Sequence, residues 1–528
     1  MTLRLLFPLL LVVIALAPAA LMAAPLPIRV WQLHDMNAAH IERVIDLAPS
    51  HGITGIQLSH NIVMRAEQLL GDDDFARQID GFARRAHERG LEMTFWTHEL
   101  SGVPEEFFVD KRVDFDRPEF LRYLRDKYRR VFDLCPNLDG AVLTFHETTQ
   151  PVYDDSRVKS ELPPAQRVAL LIDTLAEACA DKGKTLVVRS FCHQPGELKA
   201  IQDGFSLAKS RFTVMTKCQP HDWQPYYPHN PLIGDAGGHP QVIEFDLGDE
   251  FFGECRVPYL QVGYLKWRLD HAVARGAVGG VARIERRRSH ALDTPNWVNV
   301  YAWSRLLQDP SLDHHQLVLD WAAERFGEQP APLVASAMER TFDIVNKTLL
   351  ALEFWVTDHS RFTSYNYAFG HIGGRSQAKW DPSLHNLETC EALLNPTVEI
   401  LAKLDAEKAA ARALWEQSWA DLNAARECGL KNKDFEWLSS YFIRESVMID
   451  IWTAWTKALF GVRRYEQTAD PAQGEQVRKH LAHLRDLVTA HQDDLRALHQ
   501  DGGHNINAAR EFLRDIERRL DKVAARPD

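Results

Sequence analysis

The 528-residue chain has no long basic run, and its formal net charge is −12. Phosphate backbones are held by clustered Lys and Arg, so nucleic acid is disfavoured as a partner. No GxGxxG or GxxxxGK[ST] pattern follows a strand candidate, which argues against a nucleotide-binding fold. The seven cysteines (Cys135, Cys179, Cys192, Cys218, Cys255, Cys390 and Cys428) form no CxxC pair, so their spacing supports no zinc site. Their odd number leaves at least one thiol free. A Cys192–Cys218 bridge would join neighbouring strands, but buried free thiols are the plainer expectation. Beyond the N-terminus no apolar run is long enough to span a bilayer.

The N-terminus itself reads as a secretory leader. Arg4 supplies the positive charge, Leu5 to Leu16 an apolar stretch interrupted by Pro8, and Ala19, Ala20, Ala23 and Ala24 the small residues of a cleavage region. The expected leader is residues 1–24, with an uncleaved anchor as the alternative. It predicts a soluble, exported protein, periplasmic or secreted from a bacterium, without stable membrane insertion after cleavage. Hydrophobic residues make up 45% of the chain and there are 14 tryptophans, enough for a large core with aromatic faces to spare.

Eight β-branched runs alternate with mostly helical patterns: Ile28–His34, Ile53–Ser59, Glu92–His98, Gly140–Phe145, Thr185–Phe191, Phe212–Lys217, Gln241–Phe245 and Val278–Ile284. Between the fourth and fifth, Val168, Leu171, Ile172, Leu175 and Cys179 recur at helical spacing, and Gly183 sits where a helix-ending glycine is expected. This predicts an α/β chain: a (β/α)8 barrel over 25–309, with an open doubly wound sheet as the alternative, then an all-α C-terminal domain over 310–528. In that domain Tyr441, Met448, Trp452, Trp455 and Leu459 form one apolar stripe, serving an internal core or a homodimer contact. The aromatic, glycine-bearing stretch 354–380, with His359 and His371, either reaches the barrel mouth or packs between helices.

Barrel chemistry is carried at the C-terminal ends of strands. There the chain places Asp35, His60, His98, Glu99, Glu147, Arg189, His193, Lys217, Asp222, Glu244, Asp246, Glu250, Arg283 and Glu285. Several of these must be ion-paired supports, because burying charges without partners is costly. Three acids stand out. Glu147 follows apolar Phe145, which suits a proton donor whose pKa is raised by desolvation. Asp222 lies between Pro220 and Pro225, a fixed loop that suits a residue positioning water. Glu250 follows Asp246-Leu247-Gly248-Asp249. Spacing alone leaves each equally open to a bland role: a rim Glu paired with Arg, a turn Asp, an exposed helix-start acid.

The segment from Thr216 to Gly253 resembles glycoside hydrolase family 67, the α-glucuronidases. It carries Thr216-Lys217, Asp222-Trp223-Gln224-Pro225, Pro231-Leu232-Ile233-Gly234, Glu244-Phe245 and Glu250-Phe251-Phe252-Gly253. Gly279-Gly280-Val281-Ala282, Asn299 to Leu306, Asp309-Pro310 and Trp321 are similar to the family's last barrel strand, the helix behind it and the entry to its helical domain. Glu147 with Gln150-Pro151 is similar to its acid motif, and Arg189 to its fifth strand. The resemblance covers roughly residues 28–385. It implies inverting hydrolysis that needs no metal or cofactor, with Glu147 as general acid and Asp222 and Glu250 as candidate bases. Arg189, Lys217, Trp223 and Glu244 would bind an oligosaccharide substrate, Arg189 and Lys217 on its uronate carboxylate. It also implies a lysine four residues before the acid, where this chain has Leu143, and an N-terminal β-sandwich that this chain does not show. Rival readings are a hydrolase for a different α-linked sugar, an inactive carbohydrate-binding barrel, and a metal-dependent barrel hydrolase with His34, Asp35 and His98 among its ligands.

Overall fold

The computed structural model describes residues 24–286, 288–374, 379–380, 387–498 and 504–525. All but the last residue of the expected leader lies outside these. Eight strands, β1 (Ile28–Leu33), β2 (Gly55–Leu58), β3 (Glu92–His98), β4 (Gly140–Thr144), β5 (Thr185–Arg189), β6 (Thr213–Lys217), β7 (Gln241–Asp246) and β8 (Gly279–Arg283), close into one barrel. Every neighbouring pair is parallel, and β8 closes on β1 through registers such as Val30 with Val281. The open-sheet alternative is thereby replaced by the barrel. Gly279 opens β8 because a Cβ there would lie 2.1 Å from the Ile28 carbonyl oxygen. Gly183 ends its crossover helix region with a φ of 68°.

The alternation of each strand sorts its side chains between two environments. Trp31, Leu33, Phe95, Leu143, Val188, Val214, Ile243, Phe245 and Ala282 join the main hydrophobic core between barrel and helices. The inward residues form two layers. Trp96, Val142, Met215, Val242 and Val281, packed by Val30 and Val187, make a small separate apolar cluster inside the barrel. One inward step toward the C-terminal ends, Gln32, His98, Thr144, Arg189, Lys217, Glu244 and Arg283 replace it, all buried. Leu143 points to the outer core, so a lysine at that position would not reach the barrel mouth.

Two connections depart from plain helical crossovers. Between β6 and β7 the described chain forms no helix, and between β7 and the helix Val262–Val273 a long loop intervenes. These loops carry Asp222 and Glu250. The connections after β3 and β4 form a small sheet of Phe108–Val109, Arg112–Asp114 and Val158–Lys159, which strand-length patterns in the sequence did not suggest.

After the last barrel helix, Trp297–Gln308, helices dominate: His314–Phe326, Ala331–Glu339, Thr341–Leu349, Tyr365–Gly374, Leu387–Leu394, Val398–Glu427, Asn432–Thr468, Pro471–Ala490 and His504–Ala524. Thr397 and Asp470 cap two of them, accepting from the backbone N–H of Ile400 and Ala472. In the Asn432–Thr468 helix Met448, Trp452, Trp455 and Leu459 are buried within the chain itself; Trp452 stacks on Phe362 and Trp455 meets Phe512. That stripe therefore serves the internal core. All seven cysteines are free, Cys192 and Cys218 included, and Cys428 alone of the seven is exposed. Among the described residues no helix is long and apolar enough to cross a membrane.

Candidate active site

The acid side is built on the end of β4. Past Thr144 the chain turns sharply, and Glu147 takes a left-handed φ of 60°. Its carbonyl accepts a 3.1 Å hydrogen bond from His98 Nδ1, and Thr148 is bonded to Ser101 and to the Glu99 carbonyl. The Glu147 carboxyl has no ion-pair partner among the described residues and is open to solvent at the barrel mouth. The walls around it nonetheless desolvate it, and the charge of Asp222 repels its own. Both effects raise its pKa above the ordinary carboxyl value.

The other side holds two acids in unlike settings. Asp222 Oδ1 accepts a 2.9 Å hydrogen bond from Lys217 Nζ, while Oδ2 lies 3.8 Å from His221 Nδ1, beyond bonding distance. Burial alone would raise the Asp222 pKa, but Lys217 and His221 hold it far below the usual range. Glu250 is buried and engaged at both oxygens: Oε2 by Arg283, Oε1 by Arg286 at 2.9 Å and by His359 Nε2 at 3.0 Å. Here too burial works upward and the two guanidinium groups prevail, leaving the carboxylate ionised well below its ordinary pKa. The adjacent Asp249 is the reverse case. Buried among Asn296, Gln261 and Cys255, with Asp246 nearby, its pKa is pushed well up.

Glu250 is thus an ion-paired buried group, not an exposed helix start. His359, from the far helical half of the chain, supplies one of its partners. The ring packs on Phe251 with 4.5 Å between centroids and bonds Asp358 on its other nitrogen at 2.8 Å. Burial would lower its pKa, yet the two carboxylates raise it to about 9. The stretch 354–380 therefore reaches the barrel mouth, and Trp380 joins Phe191, Lys217 and His221 around one recess there.

The residues expected on the substrate come together at the same end but largely engage one another. Arg189 grips Glu244 with two bonds of 2.7 and 3.0 Å, both groups buried, and lies over Trp96 and Phe191. Lys217 sits 3.8 Å from the Phe191 ring and 4.4 Å from that of Trp223. Arg283 divides itself between Asp246 and Glu250. Non-glycine residues with left-handed backbone gather here as well: Leu100, Glu147, His221, Asp249 and His359. Such strain collects where a scaffold holds side chains for function. Sequence reasoning missed Arg286, because a partner 36 residues from Glu250 in the chain leaves no local signal.

An arc of histidines completes the mouth. His60 meets His34 edge to face and His98 at a tilt, and His146 bonds His193 at 3.0 Å, which stacks on His221. Among the described residues, His34, Asp35 and His98 do not converge as a metal-ligand set; His40, Glu285 and His290 do. Their fit to an ion is poor. The two imidazoles stack 3.6 Å apart at 16°, so their nitrogens run side by side. Glu285 is already committed to His40 and to the backbone N–H groups of His34 and Asp35. A separate cavity of about 750 Å³ opens at the opposite end of the barrel, lined by Lys184, Lys209, Arg211 and His239 and by no carboxylate.

No protein-family model matches the chain, and no curated protein matches it in sequence. Among solved structures it is similar to a GH138 enzyme targeting pectin rhamnogalacturonan II, with a TM-score of 0.63 and 12% identity over 95% of this chain and 85% of that one. It also superposes on an O-GlcNAc hydrolase mutant from Thermobaculum terrenum (TM-score 0.48, 12% identity, 94% and 95% covered). A GH115 4-O-methyl-alpha-glucuronidase with specificity for decorated arabinogalactans gives a TM-score of 0.49 at 10% identity, 93% and 62% covered. The first of these shows a shared fold over nearly the whole chain. The likeness to family 67 is a resemblance of sequence motifs alone.

Proposed function

We propose that the protein is an exported glycoside hydrolase, α-glucuronidase-like, that releases a uronic acid from xylan-type oligosaccharides with inversion. The observation that carries this is the placing of Glu147, whose pKa is raised, and Asp222, whose pKa is held far down, in one barrel mouth. Neighbouring acids whose surroundings drive their pKa values apart divide naturally into donor and base. Glu147 would protonate the glycosidic oxygen as the bond to the leaving sugar breaks. Asp222, with Oδ1 held by Lys217, would use Oδ2 to take the proton of the attacking water. Inversion calls for about 6.5–9.5 Å between the two carboxyl groups to admit that water. Glu250, occupied at both oxygens, is better suited to holding Arg283 and Arg286 than to accepting a proton.

Cations that a uronate carboxylate could share line the mouth. Arg189, Lys217, Arg283, Arg286 and His359 are matched there by Glu244, Asp222, Asp246, Glu250 and Asp358, so a bound carboxylate would share cations already paired. A uronate carboxylate entering this field meets cations already desolvated and oriented. The second reading is a catalytically silent carbohydrate-binding barrel. It is favoured by the strong ion pairing of Asp222 and Glu250, which weakens both as bases. A screen of aldobiouronic acids and other uronic-acid oligosaccharides, followed by NMR, separates them. Turnover with the inverted anomer appearing first supports the proposal; the retained anomer overturns the mechanism, and binding without turnover leaves the silent barrel.

A further inference from the structure

The inner end of the barrel contains polar atoms that the ion pairs above do not use. His34 is the next inward residue after Gln32 on the line of β1, and His98 the next after Trp96 on β3. His60 follows β2 and fills the space between them. Its ring centroid lies 5.1 Å from that of His34, 5.3 Å from that of His98 and 5.3 Å from that of Trp96. His34 and His98 are each 2% exposed. Among the described residues, both ring nitrogens of His34, Nδ1 of His60 and Nε2 of His98 have no hydrogen-bond partner. Native interiors leave few such atoms unpaired, because each costs its desolvation without a partner to offset it. Four in one contiguous patch mark a place where something else supplies the partners.

The surroundings restrict what that is. Burial and the nearby guanidinium groups, Arg283 and Arg286 for His34 and Arg189 and Arg286 for His60, hold these imidazoles neutral, as they do His98, lowered to about 4. The same positive field opposes a metal cation. A neutral imidazole offers one donor and one acceptor and can exchange them by changing tautomer. That is a poor match for a carboxylate, which only accepts, and a good one for hydroxyl groups, which do both. The patch also lies between the two acids: His98 bonds the Glu147 backbone, while His34 and His60 feel the charge of Glu250.

We propose that His34, His60 and His98 form a hydroxyl-reading floor, on which the neutral, hydroxylated edge of the sugar ring rests while its carboxylate faces the cationic side. This rests on the glycoside hydrolase reading above and extends it to the part of the ring that sets sugar identity. Ring hydroxyls would displace water from the floor and satisfy nitrogens that are otherwise unpaired.

The test is binding of methyl α-uronosides and their 2-, 3- and 4-deoxy derivatives, followed by saturation-transfer NMR and calorimetry with the full-length protein and its His34→Leu and His98→Leu variants. One deoxy derivative is expected to bind about tenfold more weakly than its parent. The matching variant should lose about tenfold against the parent and little more against that derivative. Should a variant fail to fold, the imidazole 15N resonances of the wild type provide a second readout and should shift on adding the parent uronoside. Losses that simply add, or uronoside binding that leaves those resonances unmoved, overturn the floor while leaving the hydrolase reading intact. A wild type that binds no member of the panel overturns both.

Discussion

Glu147 and Asp222 are a few residues from strand ends that look alike in sequence, yet their surroundings shift their pKa values in opposite directions. Glu147→Gln should lower kcat by about 10²–10⁴-fold while leaving the Kd of an unreacted glycoside nearly unchanged. The pH profile is set by the directions of shift. In the proposed mechanism Glu147 acts protonated, and its pKa is raised, so kcat/KM should fall as pH rises through a value above the usual carboxyl range. Asp222 would act ionised and is held far down, so no acidic limb should appear within the usual carboxyl range. Lys217→Met removes the charge that depresses Asp222 and should move an acidic limb up into the measurable range. Arg189 and Glu244 are a different matter. Arg189→Met strands a buried carboxylate and should cost about 3–5 kcal/mol in urea unfolding, before any question of substrate arises. That pairing was not legible in the chain: both residues could be marked as strand-end charges, but only folding brings groups 55 positions apart into contact.

The strands were legible because β-branched runs of a barrel are short and repeated, and the observed limits fall within two residues of those expected. Loops were harder. The 354–380 stretch advertised itself by aromatic content, but its reach depends on the hairpin of Leu350–Ala351 and Phe354–Trp355, whose Trp355 packs on Phe251. This hairpin carries the chain toward His359 and so joins the helical half to the base side of the mouth. Its ion pairs have a pH signature. The folded pKa of His359, about 9, lies above its ordinary value of 6.5, so the contribution to stability is full below pH 6.5 and is lost as pH rises through about 9. Melting temperatures of wild type and His359→Leu should accordingly converge between pH 7 and 10. Leu143 shows what alternation adds to a motif. A lysine absent from the expected position looks like a lost substrate contact, yet the side chain there faces the outer core.

At the level of the whole molecule, barrel and helices share one hydrophobic core that runs from Trp31 to Val523. The loop between β7 and its helix is fastened to the helical half at several points. Gly253 N–H donates to Ser360 Oγ at 2.6 Å, Leu260 N–H to Thr341 Oγ1 at 2.9 Å, and Arg444 to the Arg256 carbonyl at 2.7 Å. A chain ended after Gln308 should therefore give no cooperative thermal transition by circular dichroism, although a boundary near residue 309 is what composition suggests. Trp455→Ala, deep in the helical half, should cost about 3–5 kcal/mol and lower the melting of the barrel signals along with its own. Two separate transitions would show that the halves are energetically independent.

The apolar cluster of Trp96, Val142, Met215, Val242 and Val281 has a consequence for traffic. It plugs the barrel axis beneath the polar layer, so the mouth is a blind end with no rear exit. On the proposed reading, a sugar that enters must back out through the opening it came in by. A polymer would not thread past, which would suit removal of a terminal unit or side branch and make release of that unit a condition for the next encounter.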